Sequence, residues 1–297
     1  MNGERSLSVF TWVPTKPRFL SDCRRWFASV SLLLLVGCKD EGKVSEERAV
    51  AHVAFLAPLT VGDVEEVRSG LPQGVQYVEG LWKEGDAAKD PEAARLALLR
   101  ARQKTQDLRV AKSTFFAIAA KDGFVIRTDQ DVDMMANANI LAAFPELAQA
   151  LTRGYVETLG SMHEARGVEG KPDGQWVAAQ RVMRGSDPVG LYVTGWAWSL
   201  YARRLEEALK SQLHDEEKRK MPLFYTYVVV GQQAYGTRVS PQVNAESIQK
   251  LDPLANADEA GVFRGQLEIT GRTFGFAAMK APALGETVMV GVLRSET

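Results

Sequence analysis

Cysteine is almost absent from this chain. Its 297 residues contain only Cys23 and Cys38. A disulfide-stapled scaffold and a cysteine-rich metal module are therefore excluded, and stability must come from an ordinary hydrophobic core. Histidine is equally scarce, at three residues. His52, His163 and His214 lie far apart, and His163-Glu164 lacks the second histidine of a zinc-helix motif. There is no G-x-S-x-G around a serine, and Gly271-Arg272-Thr273-Phe274-Gly275 lacks the lysine and helix context of a phosphate loop. Asp129, Asp131 and Asp133 alternate as in a calcium loop, without the glycine or the closing glutamate. The net charge is −1, and no long basic block suits nucleic acid. No apolar run reaches the roughly 20 residues a membrane span needs. These absences point away from an enzyme, a metal protein and a cofactor protein.

What is present begins at the amino end. The basic pair Arg24-Arg25 precedes an apolar run that closes as Leu35-Val36-Gly37-Cys38. A basic region, a short apolar stretch and small residues before a cut make a secretory signal. Cutting directly before a cysteine resembles the lipobox of bacterial lipoproteins. The resemblance implies that residues 1–37 are a signal peptide and that Cys38 becomes a lipidated amino terminus carrying acyl chains such as palmitate. Arg24-Arg25-Trp26-Phe27 is also similar to the twin-arginine export motif, but its flanks depart from the pattern, and general secretion is the expected route. Asp40 stands one place beyond the position that retains lipoproteins at the inner membrane. The expected location is therefore the bacterial cell envelope, periplasm-facing or at the surface, with the outer membrane favoured.

Residues 38–48 are polar and read as a tether. Residues 49–110 read as helical, with short helices punctuated by Pro58, Gly70, Pro72 and Gly74. Asp90-Pro91-Glu92 then starts a stronger helix, with Leu96, Leu99 and Leu108 on its packed face. Residues 111–220 and 221–297 each show one order of elements: strands joined by a tight turn, a helical insertion, then antiparallel strands. The strands expected in the first cycle run from Thr114 to Ala120, Phe124 to Arg127, Trp176 to Val182 and Val189 to Trp196. Asp131 to Arg153 reads as a helix broken near Pro145, and Ser199 to about Lys220 as an amphipathic linker helix. In the second cycle the strands are Leu223 to Val230, Ala234 to Val239, Val262 to Ile269, Arg272 to Met279 and Thr287 to Leu293, with a short helix from Asn244 to Leu251.

FFAIAAKDGFVIRTDQD and WVAAQRVMRGSDPVGLYVTGW resemble the hairpin and the later strand pair of PAS-like sensory domains, especially the extracytoplasmic Cache branch. The resemblance implies an α+β fold: two PAS/Cache-like modules, each an antiparallel sheet of about five strands with helices on one face, preceded by N-terminal helices. It implies a sensory, ligand-binding role. The family's amino-acid-binding signature is not visible.

By period-2 alternation Tyr192, Thr194 and Trp196 share a face. With Trp176 they are candidate walls of a pocket roofed by the Asp131 to Gly154 insertion. Arg127 and Arg181 are candidate partners for an anionic ligand. Core packing is nonetheless the better reading for the aromatics, and solvation for the arginines. Tyr225, Tyr227 and Arg238 raise the same question in the second module. The reading is a lipid-anchored, non-enzymatic sensory or binding protein that recognises a small molecule or an envelope partner protein. The alternative is an assembly lipoprotein that makes only protein contacts.

Overall fold

The computed structural model describes residues 41–83, 87–165, 173–213 and 222–296. The export signal, Cys38 and the module boundary expected at residues 220–221 lie outside them.

The tether and the punctuated short helices are replaced by one helix, α1, over Glu41–Lys83. Two prolines inside a helix each remove a hydrogen bond and crowd the preceding turn. Both Pro58 and Pro72 are exposed, while Val53, Leu56, Val64, Val67, Leu71 and Val78 form a continuous buried stripe. Packing along that stripe outweighs the local penalty. The polar look of residues 39–48 misleads because the buried positions there are small: Gly42, Ser45 and Ala49. α1 can lie close on its neighbours only where a side chain is missing. A Cβ on Gly70 would stand 2.7 Å from Leu108 Cδ2, and one on Gly74 would stand 2.6 Å from Leu108 Cδ1.

The helix expected from Pro91 divides at Thr105 into α2 (Pro91–Lys104) and α3 (Gln106–Val110). Asp90 caps α2 as its position suggests, accepting from Ala93 N at 2.9 Å. Of the leucines expected on the packed face Leu108 is buried, on α3, while on α2 the face is turned. Ala94, Ala97, Leu98 and Ala101 are buried and Leu96 is exposed, since small residues let α2 approach α1.

The first sheet contains β1 (Phe115–Ala120), β2 (Val125–Thr128), β3 (Tyr155–Gly160), β4 (Gln175–Arg184) and β5 (Asp187–Ala197), in the order β2-β1-β5-β4-β3, all antiparallel. Gly123, at φ +90°, supplies the left-handed turn between β1 and β2. The insertion is far less helical than its sequence suggests. It holds α4 (Ile140–Ala143), a 3₁₀ turn and α5 (Ala150–Arg153), and then the unexpected edge strand β3. Aspartates win the competition for the backbone ahead of α4. Asp133 accepts from Thr128 N and Met135 N, and Asp129 accepts from Phe116 N, which pins residues 129–135 as a loop.

Helix α6 (Trp198–Gln212) leads towards the second sheet: β6 (Leu223–Val230), β7 (Gln233–Gly236), β8 (Val262–Ile269), β9 (Arg272–Lys280) and β10 (Val288–Ser295). Its order, β7-β6-β10-β9-β8, repeats that of the first. Helix α7 (Gln242–Lys250) is the second sheet's insertion. The fold is therefore α+β with two antiparallel five-stranded sheets, as expected.

One core runs beneath both sheets. It joins α1 to Phe116, Ile118, Trp176, Tyr192 and Trp196 of the first sheet, and to Val228, Ala277, Val290 and Val292 of the second. The opposite faces hold separate cores, Phe115, Val177, Leu191 and Val193 with the first insertion, and Tyr227, Phe263, Phe276 and Met289 with α7. The amino half of α1 meets β9, where a Cβ on Gly275 would collide with the backbone of Ser45 and Glu46. Its carboxyl end meets β5, where Trp82 lies against Gly190. Residues Lys39–Thr297 form one compact unit.

Candidate functional site

Trp176, Tyr192 and Trp196 do share a face, but it is the face that α1 covers. The insertion covers the other one. Trp176 stacks on Trp196 at 4.3 Å between centroids, and Trp196 on Tyr201 of α6 at 5.0 Å. All three rings are buried, and this stack wedges the first sheet against its helices.

The two arginines do not converge. Arg127 pairs across the sheet with Ile118, on the α1 side, and Arg181 with Leu191, on the insertion side. Arg127 Nη1 lies 2.9 Å from Asp133 Oδ2. Burial alone would raise the Asp133 carboxyl. Hydrogen bonds from Arg127, Thr128 and Met135 outweigh it and hold the group below the ordinary aspartate range. Arg181 Nη1 donates to the carbonyls of Leu151 and Thr152, both at 3.1 Å, closing the last turn of α5.

A cavity of about 510 Å3 lies at the β7 edge of the second sheet, between β7, α7 and the start of α6. Several features open it. Asp173 caps α6, accepting from Ser199 N at 3.3 Å and from Ser199 Oγ at 2.5 Å, and this places its carboxylate on the cavity wall. Gly236 lets β7 bend over the ring of Tyr227, since a Cβ there would stand 2.6 Å from Tyr227 Cε1. The turn after β7 is closed by Ser240 N donating to Thr237 O and by a 3.0 Å contact between the two hydroxyls. On α7, Gln242 Nε2 donates to Glu246 Oε1 at 2.9 Å. Tyr235 Oη donates to Gln233 Oε1 on the same strand.

Tyr227 is fully buried, and its hydroxyl faces the side chains of Asn244 and Ser240, which act on it as hydrogen-bonding neighbours. Burial raises the Tyr227 phenol well above its ordinary value, so it stays protonated and can donate or accept. Tyr235 is raised too, by burial and then by the charge of Asp173. Among the described residues no group of three His, Cys, Asp or Glu side chains is placed to hold a metal.

Of this wall, sequence reasoning singled out only Tyr227. Asp173, Tyr235, Ser240 and Glu246 carry no motif. The one local signal is the glycine and proline that bracket Gly236-Thr237-Arg238-Val239-Ser240-Pro241.

No protein-family profile and no curated protein matches this chain. Solved structures do. The extracellular domain of a histidine kinase is 10% identical at a TM-score of 0.53, covering 86% of this chain and 92% of that one. The domain of a sensory box/GGDEF family protein from Vibrio parahaemolyticus is 9% identical at 0.53, covering 86% and 97%. An extracellular ligand binding receptor from Desulfohalobium retbaense is 10% identical at 0.48, over 84% of this chain, which spans 40% of that protein's length. The first two likenesses show a shared fold, two antiparallel five-stranded sheets with helices.

Proposed function

We propose that this chain is a lipid-anchored, non-enzymatic sensory protein of the bacterial cell envelope, which recognises a small molecule or a partner protein. The observation that carries the reading is the pair of matching five-stranded sheets on the single helix α1, with a cavity at the edge of the second. In this reading residues 1–37 are the signal peptide, Cys38 carries the lipid, and residues 49–110 support a first module at 111–220 and a second at 221–297. The second sheet, which meets the amino half of α1, then lies nearer the membrane.

Two measurements test this. Cys38→Ser abolishes metabolic palmitate labelling, because stable anchoring needs the acyl chains, whereas Cys23→Ser leaves it unchanged. Equal labelling of the Cys38 variant rejects the anchor. Native mass spectrometry of the purified protein then detects a retained small molecule or a co-purifying partner. A second reading, an assembly lipoprotein with protein contacts only, is favoured by one feature. Val132 and Met134 are 72% and 67% exposed on the loop after β2.

A further inference from the structure

We propose that the cavity at β7 binds a short extended peptide, which adds to the free edge of that strand and pairs with the backbone of Ala234 and Gly236. This deepens the sensory reading and rests on it: the small molecule recognised is an oligopeptide.

The hydrogen-bond phase of the second sheet carries the assignment. Backbone groups of successive strand residues point to opposite edges. Gly231 N donates to Thr287 O, towards β10, so the groups of Val230 point to β7. Val230 faces Gln233 and Val228 faces Tyr235, and these are the bonded pairs of the β6–β7 hairpin. The N–H and C=O of Ala234 and Gly236 therefore point away from the sheet, and neither residue has a backbone partner on that side among the described residues. All four residues of β7 line the cavity. The rest of its wall comes from both faces of the sheet. Asp173 and Ser199 stand with Tyr235 on the α6 side, and Tyr227, Ser240, Ala245 and Gln249 on the α7 side. A ligand lying on one face would meet only half of this wall. A strand in the plane of the sheet meets all of it, since its side chains alternate between the faces. The size agrees. Four residues of edge match a peptide of about four at roughly 3.3 Å per residue, and 510 Å3 is an ordinary volume for a ligand pocket. Edge strands are normally blunted by charge or cover. Val125 and Thr128 of β2 are bonded by Ala138 and Asp133, and β8 exposes Arg264 and Glu268. β7 reads Gln-Ala-Tyr-Gly, with no charge, proline or bulge.

The test uses the full-length chain in detergent and calorimetric titration with two uncharged, end-blocked peptides, tetra-alanine and Thr-Val-Thr-Val. At least one binds. Its analogue N-methylated at both inner amides, which blocks either register, binds at least about tenfold more weakly. Amide exchange gives the signature of strand addition. Ala234 and Gly236 exchange faster than Gln233 and Tyr235 in the free chain and become protected with the peptide. Ala234→Pro removes an outward N–H and no ladder bond, so binding falls about tenfold or more with the thermal melt unchanged. If that variant does not fold, the methylated peptides and the exchange pattern decide. Neither peptide binding, equal binding of the methylated analogue, or unmoved exchange at Ala234 and Gly236 each overturns the assignment. So does a co-purifying protein that protects those two amides when the peptides do not bind. Native mass spectrometry separates the two levels of the argument. A retained non-peptide molecule without peptide binding refutes the peptide and leaves the sensory reading standing. No retained molecule, no partner and no peptide binding removes both.

Discussion

Gly275 is where the geometry makes its hardest prediction. It sits in the middle of β9 with the backbone of α1 laid directly on it. An added Cβ would come closer to Glu46 N, Glu46 Cα and Ser45 C than the 3.0 Å below which real Cβ contacts essentially never occur. These are backbone atoms, so no rotamer change relieves the clash. Ordinary carbon contacts lie at about 3.5–4.0 Å, and Gly275→Ala therefore forces helix and strand apart by more than about 1 Å. Overpacking in a well-filled core costs about 1–3 kcal/mol, and the rigid neighbours put this case at about 2–3 kcal/mol. For a chain of this size the melting temperature should fall by about 4–12 °C. Gly62→Ala is the matched control. Gly62 lies in the same helix, and a methyl group there would meet nothing within 4 Å. It should gain about 0.5–1 kcal/mol from helix propensity. Thermal denaturation followed by circular dichroism reads both. If Gly275→Ala melts within about 1 °C of the parent chain, a shift well below that expected for overpacking, α1 does not lie on β9 and the continuous helix from Glu41 is wrong.

Other perturbations have equally definite outcomes. Trp196→Ala removes the middle ring of the Trp176–Trp196–Tyr201 stack and should cost about 3–5 kcal/mol, read as a lower urea midpoint. Arg181→Ala frees the carbonyls of Leu151 and Thr152. It should cost about 1 kcal/mol and speed amide exchange in α5 while leaving α7 unchanged. Asp133 has its folded pKa below the ordinary aspartate value of 3.8, so its stabilisation is fully present above that pH and is lost as pH falls through the lower, folded value. Asp133→Asn should flatten that part of the acid unfolding curve, and an unchanged acid slope would count against the Arg127–Asp133 pair.

Much of the fold was legible because strands announce themselves locally. Leu223 to Val230 and Arg272 to Met279 are dense in β-prone residues and bounded by turns, and β6 and β9 form within a residue of those limits. The misread elements share one cause: their conformation depends on distant partners. β3 is an edge strand with every residue only half-buried, so it lacks a clean alternation. Residues 129–135 look helical until Asp129 and Asp133 are seen to bind the strand backbone instead. α1 survives two prolines because, beyond α2 and α3, it packs on β4, β5, β9 and β10, all far away in sequence.

The same distinction explains the site. Alternation correctly placed Tyr192 and Trp196 on one face, because period 2 is a property of the strand itself. It cannot say which of two helical layers covers that face. α1 took it, and the aromatics became the filling between sheet and helix. The second module inverts the situation. Its insertion is about as long, 237–261 against 129–154, but it buries fewer apolar side chains. α7 buries Asn244 and Ile248 but keeps Gln242, Glu246 and Gln249 facing outwards, and β7 is an edge strand of four residues. The first insertion fills the face it covers with Ile140, Phe144, Leu147 and Ala150, whereas the second buries Ile248 there. Tyr227 and Asp173 then border the same void from different modules. The void follows from what the packing fails to fill, and a sequence pattern records only what it does.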